Sequence, residues 1–208
     1  DQKGREVIYS RDELGTCVAM QYPGGKKVEY SYDQWRRLTS LRDENGEFRY
    51  TYDANGRLSE KLFPNGMRTN YTYGVTGALE SLTHWGEEEI LEGITYQYDA
   101  VGNKIGMQRQ RKGLPEESGV YRYDYDPLNR LIGVQKDETM LRSYGYDTFG
   151  NRSFAENQGT RTDYFYNGAN QLMRSVKGES TTDYSYDDRG NLIQILENGV
   201  CKHSYEYD

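Results

Sequence analysis

The chain is 208 residues long, 35% hydrophobic and 28% charged, with a net charge of -7 at pH 7. Its 26 Lys and Arg are interspersed with 33 Asp and Glu and form no concentrated basic tract, which argues against a nucleic-acid partner. No stretch approaches the roughly 20 apolar residues of a membrane helix, and the 21 tyrosines set the chain apart from disordered sequences, which are poor in aromatics.

Read from the start, one pattern recurs: Tyr-x-Tyr-Asp-x-x-Gly, then often Arg or Asn, then often Leu. The first copy, Tyr9 to Asp12, is degenerate, with Arg11 in place of the second tyrosine. The next copies carry Tyr30, Tyr32 and Asp33; Tyr50, Tyr52, Asp53 and Gly56; and Tyr71 and Tyr73, followed by Gly74 in the Asp slot. Beyond them lie Tyr96, Tyr98, Asp99 and Gly102; Tyr123, Tyr125, Asp126 and Asn129; and Tyr144, Tyr146, Asp147 and Gly150. The last three copies hold Tyr164, Tyr166, Asn167 and Asn170; Tyr184, Tyr186, Asp187 and Gly190; and the truncated Tyr205, Tyr207 and Asp208. Successive first tyrosines are 21, 20, 21, 25, 27, 21, 20, 20 and 21 residues apart. Such a period marks a repeat array over residues 1–208, read here as a section of a longer one.

The chemistry of each slot predicts a β-hairpin. Tyr-x-Tyr puts both rings on one face of a strand. Asp-x-x-Gly reads as a type I turn, with Asp accepting hydrogen bonds from the turn backbone and Gly supplying a positive φ for a bulge. Asn129 and Asn170 replace Gly with the residue next most tolerant of left-handed geometry, while Arg36 has no such explanation. In this register the second tyrosine faces the Leu slot (Leu38, Leu58, Leu79, Leu131, Leu172 and Leu192) across the hairpin. Return turns are expected at Glu44-Asn45-Gly46, Pro64-Asn65-Gly66, Lys177-Gly178-Glu179 and Glu197-Asn198-Gly199. The fold class is therefore all-β, tandem antiparallel hairpins in one long sheet. About twenty strands at ~4.8 Å each make a strip on the order of 95 Å, which strand twist should coil. Two longer copies, with insertions over 80–93 and 107–119, are expected to add solvated hairpin loops.

Little here points to catalysis or a cofactor. The Asp slots share one offset before Gly or Asn, which fits turn capping and not paired catalytic carboxylates. His84 and His203 lie in different copies without ligand spacing, so no metal is expected. Cys17 and Cys201 read as two free, half-buried thiols.

Copies such as Tyr96-Gln97-Tyr98-Asp99-Ala100-Val101-Gly102-Asn103-Lys104 and Tyr144-Gly145-Tyr146-Asp147-Thr148-Phe149-Gly150-Asn151-Arg152 resemble the RHS/YD-repeat family over the whole chain. The resemblance implies a β-strip that spirals into a hollow shell in bacterial polymorphic toxins and insecticidal toxin complexes, and into a barrel in teneurin adhesion receptors. It implies a secreted or surface-displayed parent whose partners are flanking repeats and a C-terminal cargo or toxin domain. Bacterial members close the array with a self-cleaving Asp-Pro segment. The single Asp126-Pro127 here is a turn inside a copy, so no protease activity is carried over. The expected function is a structural, non-enzymatic shell section. The alternative is an extracellular adhesion or glycan-binding module that uses exposed tyrosines or the long loops.

Overall fold

The computed structural model describes residues 6–207, so Asp208, the last Asp-slot residue, lies outside them. Nineteen strands belong to one antiparallel sheet, and the only helical piece among the described residues is a 3-10 turn at Pro115–Glu117. The chain forms two compact units. The first takes residues up to Gln97 together with Met107–Gly119, and the second takes Tyr98–Gly106 and everything from Val120 onward.

The first unit contains β1 (Ile8–Arg11), β2 (Cys17–Gln21), β3 (Lys27–Tyr32), β4 (Leu38–Asp43), β5 (Gly46–Tyr52), β6 (Leu58–Leu62), β7 (Arg68–Tyr73), β8 (Leu79–Trp85) and most of β9 (Ile90–Tyr98). Strand β10 (Lys104–Arg111) is divided between the units. The second unit contains β11 (Gly119–Tyr125), β12 (Leu131–Lys136), β13 (Thr139–Tyr146), β14 (Arg152–Asn157), β15 (Thr160–Tyr166), β16 (Leu172–Lys177), β17 (Ser180–Tyr186), β18 (Leu192–Glu197) and β19 (Val200–Ser204). Within each unit every strand pairs with its neighbour in the chain, as two-strand repeats require.

The expected register holds. Tyr32 faces Leu38, Tyr52 faces Leu58, Tyr73 faces Leu79, Tyr125 faces Leu131, Tyr166 faces Leu172 and Tyr186 faces Leu192. Just before each of these tyrosines the register slips by one residue, which is the bulge that a left-handed fourth turn residue creates. Gly56 sits at φ 79°, and Asn129 and Asn170 both sit at 59°. Arg36 also takes this conformation, at φ 64°. We expect Gly56→Val to cost about 1–3 kcal/mol and Gly56→Asn clearly less, because a β-branched side chain resists positive φ and Asn tolerates it. Urea melts of the two variants measure this, and equal losses would show that the slot does not need left-handed geometry.

Return turns differ more among themselves. Phe63-Pro64-Asn65-Gly66 repeats the Asp-x-x-Gly hydrogen-bond pattern, with Phe63 N–H donating to Met67 O and Gly66 N–H to Phe63 O. Asn198 and Gly199 are both left-handed, at 49° and 79°, which is the type I′ geometry that matches strand twist. Asp137-Glu138 and Gln158-Gly159 form the same kind of turn, a role their composition does not advertise.

The insertions depart from expectation. Residues 80–85 and 90–93 are strand, so the first insertion lengthens the β8–β9 hairpin and leaves only a short turn at 86–89. The second extends β10 as far as Arg111, and only 112–118 form a loop. Alternating residues able to pair across the hairpin let both segments continue the sheet instead of looping out.

Burial is thin, as the composition requires. Among the described residues the buried hydrophobic residue is Ala19, and the most buried polar one is Thr69 at 1% exposure. The repeat tyrosines from Tyr30 to Tyr186 are all half-buried. Cys17 is a half-buried free thiol, whereas Cys201, expected to be half-buried, is exposed on the terminal strand β19.

Candidate functional site

What the chain builds repeatedly is the turn that follows each tyrosine pair. Asp53 Oδ1 accepts hydrogen bonds from the backbone N–H groups of Asn55 and Arg57, both at 2.9 Å. Its Oδ2 accepts from Arg57 Nε at 2.8 Å. The same set recurs at Asp33 with Trp35 and Arg37, and at Asp126 with Leu128 and Arg130. At Asp99, Asp147 and Asp187 the side-chain partner is an asparagine: Asn103, Asn151 or Asn191. Asn167 fills the slot in a neutral form, accepting from Ala169 and Gln171 N–H. Sequence reading assigned Asp its cap and left the following Arg or Asn without a role. That fifth residue grips the carboxylate and also reaches the next repeat. Arg57 Nη1 approaches Gly74 O, and Arg130 Nη1 approaches Asp147 O, both at 3.4 Å.

The exceptions to Gly now have a physical reason. Asn103 Nδ2 donates to Asn129 Oδ1 at 2.8 Å, and Asn151 Nδ2 donates to Asn170 Oδ1 at 3.0 Å. Arg36 hydrogen-bonds Leu14 O at 3.2 Å and also Thr16 Oγ1. Each non-glycine at the fourth turn position therefore uses its side chain to bridge back to the previous repeat, and this offsets the cost of positive φ.

The second tyrosine supplies another link. Tyr52 OH donates to Leu38 O at 2.8 Å, Tyr146 OH to Leu131 O at 2.9 Å and Tyr186 OH to Leu172 O at 3.0 Å. Tyr32, Tyr73, Tyr125, Tyr166 and Tyr207 make the same bond to the preceding repeat. Alternation placed these rings on one face, but nothing in a single copy reveals that each hydroxyl crosses to the previous hairpin. Arg37, Arg57 and Arg130 also stack on the following repeat's tyrosine, at 4.5, 4.6 and 4.6 Å from the ring centroids of Tyr52, Tyr73 and Tyr146. The first-slot tyrosines Tyr30, Tyr50, Tyr96, Tyr123, Tyr144 and Tyr184 line the same face, with Arg152 over Tyr144 and Lys104 over Tyr123.

Electrostatics follow from this wiring. The Arg57 backbone N–H, then the Arg57 side chain, hold the Asp53 carboxyl below its ordinary pKa. The Arg130 backbone N–H does the same for Asp126, and the Asn191 side chain and backbone do so for Asp187. Burial raises the phenol pKa of Tyr52, Tyr125, Tyr166 and Tyr186, which keeps them as donors. A depressed carboxylate adds stability that is present above the unfolded value of 3.8 and lost as pH falls through the folded value. We therefore expect the melting temperature to fall as pH drops below about 4, and Asp53→Asn to shrink that fall. Asn can keep the backbone caps, as Asn167 does, without titrating. Melting curves from pH 7 to pH 2 test this, and an unchanged acid slope in the variant would refute it.

The lengthened hairpins hold a separate polar chain. Thr69 Oγ1 meets His84 Nδ1 at 2.8 Å, Arg109 Nε donates to Glu92 Oε1 at 2.6 Å, and Glu117 Oε2 lies 3.2 Å from Arg109 Nη2 and 2.6 Å from Arg111 Nη1. It ties β7, β8, β9 and β10 together. Thr69 is too buried to meet a substrate, so the chain reads as a brace. Among the described residues no three His, Cys, Asp or Glu side chains converge as a metal site would need.

The family model for the RHS repeat matches residues 12–47 and 48–88. The tRNA3(Ser)-specific nuclease WapA of Bacillus spizizenii is 28% identical over 100% of this chain, which spans 9% of that protein. The double-stranded DNA deaminase toxin A of Burkholderia cenocepacia is 30% identical over 65% of this chain and 10% of its own length. Teneurin-m of Drosophila melanogaster is 24% identical over 92% of this chain and 7% of its own length. Among solved structures, the crystal structure of TcdB2-TccC3-Cdc42 superposes with a TM-score of 0.71 at 18% identity, covering 92% of this chain and 12% of that one. These relatives are many times longer than the chain and differ in what their names say they do. What they share with it is the repeat.

Proposed function

Because this chain belongs to the RHS/YD-repeat family, we propose that it is a structural section of a secreted or surface-displayed shell that encloses or presents a cargo domain of its own parent chain. The observation that carries this reading is a sheet wired from repeat to repeat while burying almost no core. Such a strip is suited to walling off space, since each hairpin draws its stability from its neighbours. Among the described residues, the turn carboxylates of Asp33, Asp53, Asp99, Asp126, Asp147 and Asp187 are each committed to backbone and side-chain donors, which favours capping over general acid or base work. The activities named in the relatives then belong to segments outside the part they share with this chain. The partners are flanking repeats and the cargo, with no nucleic acid and no cofactor engaged by the array itself.

The full-length parent protein tests this by limited proteolysis. A non-repeat domain should resist protease while the array is intact and become sensitive when several repeat tyrosines are replaced by Ala. A domain digested equally fast in both proteins would contradict enclosure. Adhesion through exposed tyrosines has less support, because the hydroxyls of Tyr32, Tyr52, Tyr73, Tyr125, Tyr146, Tyr166 and Tyr186 are spent inside the sheet.

A further inference from the structure

One hairpin breaks the pattern of the sheet face that carries the tyrosines. In other copies the residue facing the first tyrosine across its hairpin is apolar or small: Leu41, Leu82, Val134, Ala155, Ser175 or Ile195. Opposite Tyr50 the same slot holds Lys61. Its ammonium sits in a box of aromatic rings. Lys61 Nζ lies 4.5 Å from the Phe63 ring centroid, 5.5 Å from that of Phe48 and 5.7 Å from that of Tyr50, each within the roughly 6 Å reach of a cation–π contact. Phe48 and Phe63 stand edge to face, with centroids 5.8 Å apart and planes at 70°, so they form two walls of a corner. Among the described residues no carboxylate forms an ion pair with Lys61, unlike Arg37, Arg57 and Arg130. The three rings and the lysine are all half-buried, so solvent reaches the box.

We infer that this box is a binding site for a quaternary ammonium group of the choline type, and that Lys61 is its resident occupant, displaced when the ligand enters. Three ring faces without a carboxylate attract a cation through the ring quadrupoles alone. A primary ammonium is compact and strongly hydrated, so it gives up water to sit among rings. A trimethylammonium spreads the same charge over apolar methyl groups, gives up less hydration and touches several rings at once. The lysine stem is flexible and its ammonium regains full hydration outside the box, so its displacement leaves the sheet intact. In the absence of ligand, the Lys61 stem covers the apolar walls. The inference goes beyond the shell reading and stands whether or not the array encloses a cargo.

Calorimetric titration of the whole chain with choline tests it, at constant ionic strength and with ligand up to about 10 mM to reach weak binding. Choline should bind saturably. Its neutral isostere, in which a tert-butyl group replaces the trimethylammonium, should bind at least about tenfold more weakly, because only the charge is removed. Phe63→Leu keeps an apolar side chain without a ring and should weaken choline binding about fivefold. Lys61→Ala removes the tethered competitor and should tighten it about fivefold. Ala155 and Ser175 fill the same slot in other copies, so alanine suits the fold there, and Lys61→Ser repeats the test with the second of these residues. Melting curves verify that each variant is folded. Vesicles of phosphatidylcholine identify the source of the group. Co-sedimentation that choline competes away assigns it to a lipid headgroup, and saturable choline binding without co-sedimentation assigns it to a free amine; both support the site. Absence of saturation, equal binding of the isostere, or choline binding that is unchanged or weaker in the folded Lys61 variants would overturn the inference and leave Lys61 a structural cation–π contact.

Discussion

Replacing Tyr146 with Ala should destabilise the array by about 2–4 kcal/mol, the range for large-to-small changes at packed sites. Three contacts go at once. The ring no longer covers the sheet face, the Leu131 carbonyl loses its 2.9 Å donor, and Arg130 loses the ring it stacks on at 4.6 Å. Tyr146→Phe separates these effects. It keeps the ring and should cost about 0.5–1.5 kcal/mol, the net worth of one hydrogen bond. Tyr9→Ala should cost much less, because Tyr9 is 56% exposed on the first strand. Urea denaturation of the three variants measures the series. A Phe variant as damaging as the Ala variant would place the energy in the hydroxyl alone.

Gly46→Val should be the most damaging substitution among the positive-φ glycines, with a loss of about 2–4 kcal/mol. Gly46 has φ 126°, a conformation that suits glycine. A Cβ there would also lie 2.6 Å from Pro64 Cβ, on a rigid ring in the next repeat's return turn. Gly66 offers the comparison. It is likewise left-handed, at φ 82°, but nothing lies within 4 Å of its virtual Cβ. Gly66→Ala should therefore show backbone strain alone, about 1 kcal/mol, and Gly46→Ala should exceed it by the cost of the clash. Equal losses at the two positions would show that Pro64 yields.

Much of this was legible in the chain itself because strand and turn signals repeat. Alternating tyrosines fix the face, Asp-x-x-Gly fixes the turn, and the offset to Leu fixes the register. Contacts between copies were not legible. A single copy cannot show that the Tyr52 hydroxyl reaches back to Leu38 O, or that Asn103 reaches forward to Asn129, because both depend on how one hairpin stacks on the next. A signal was present all the same. The two asparagines at the fourth turn position, Asn129 and Asn170, each follow a copy with asparagine at the fifth, Asn103 and Asn151. The lengthened hairpins were misjudged because insertions in a repeat array ordinarily map to loops. Cross-strand partners such as Glu92 and Arg109, far apart in sequence, hold those segments in strands instead.

An alanine scan of the repeat tyrosines, read by thermal unfolding, tests most directly the claim that this chain is a scaffold wired from each repeat to the next. Every half-buried tyrosine from Tyr30 to Tyr186 should lower the melting temperature, while the exposed Tyr9, Tyr205 and Tyr207 should matter little. A group of the half-buried tyrosines that can be removed without loss of stability would contradict it.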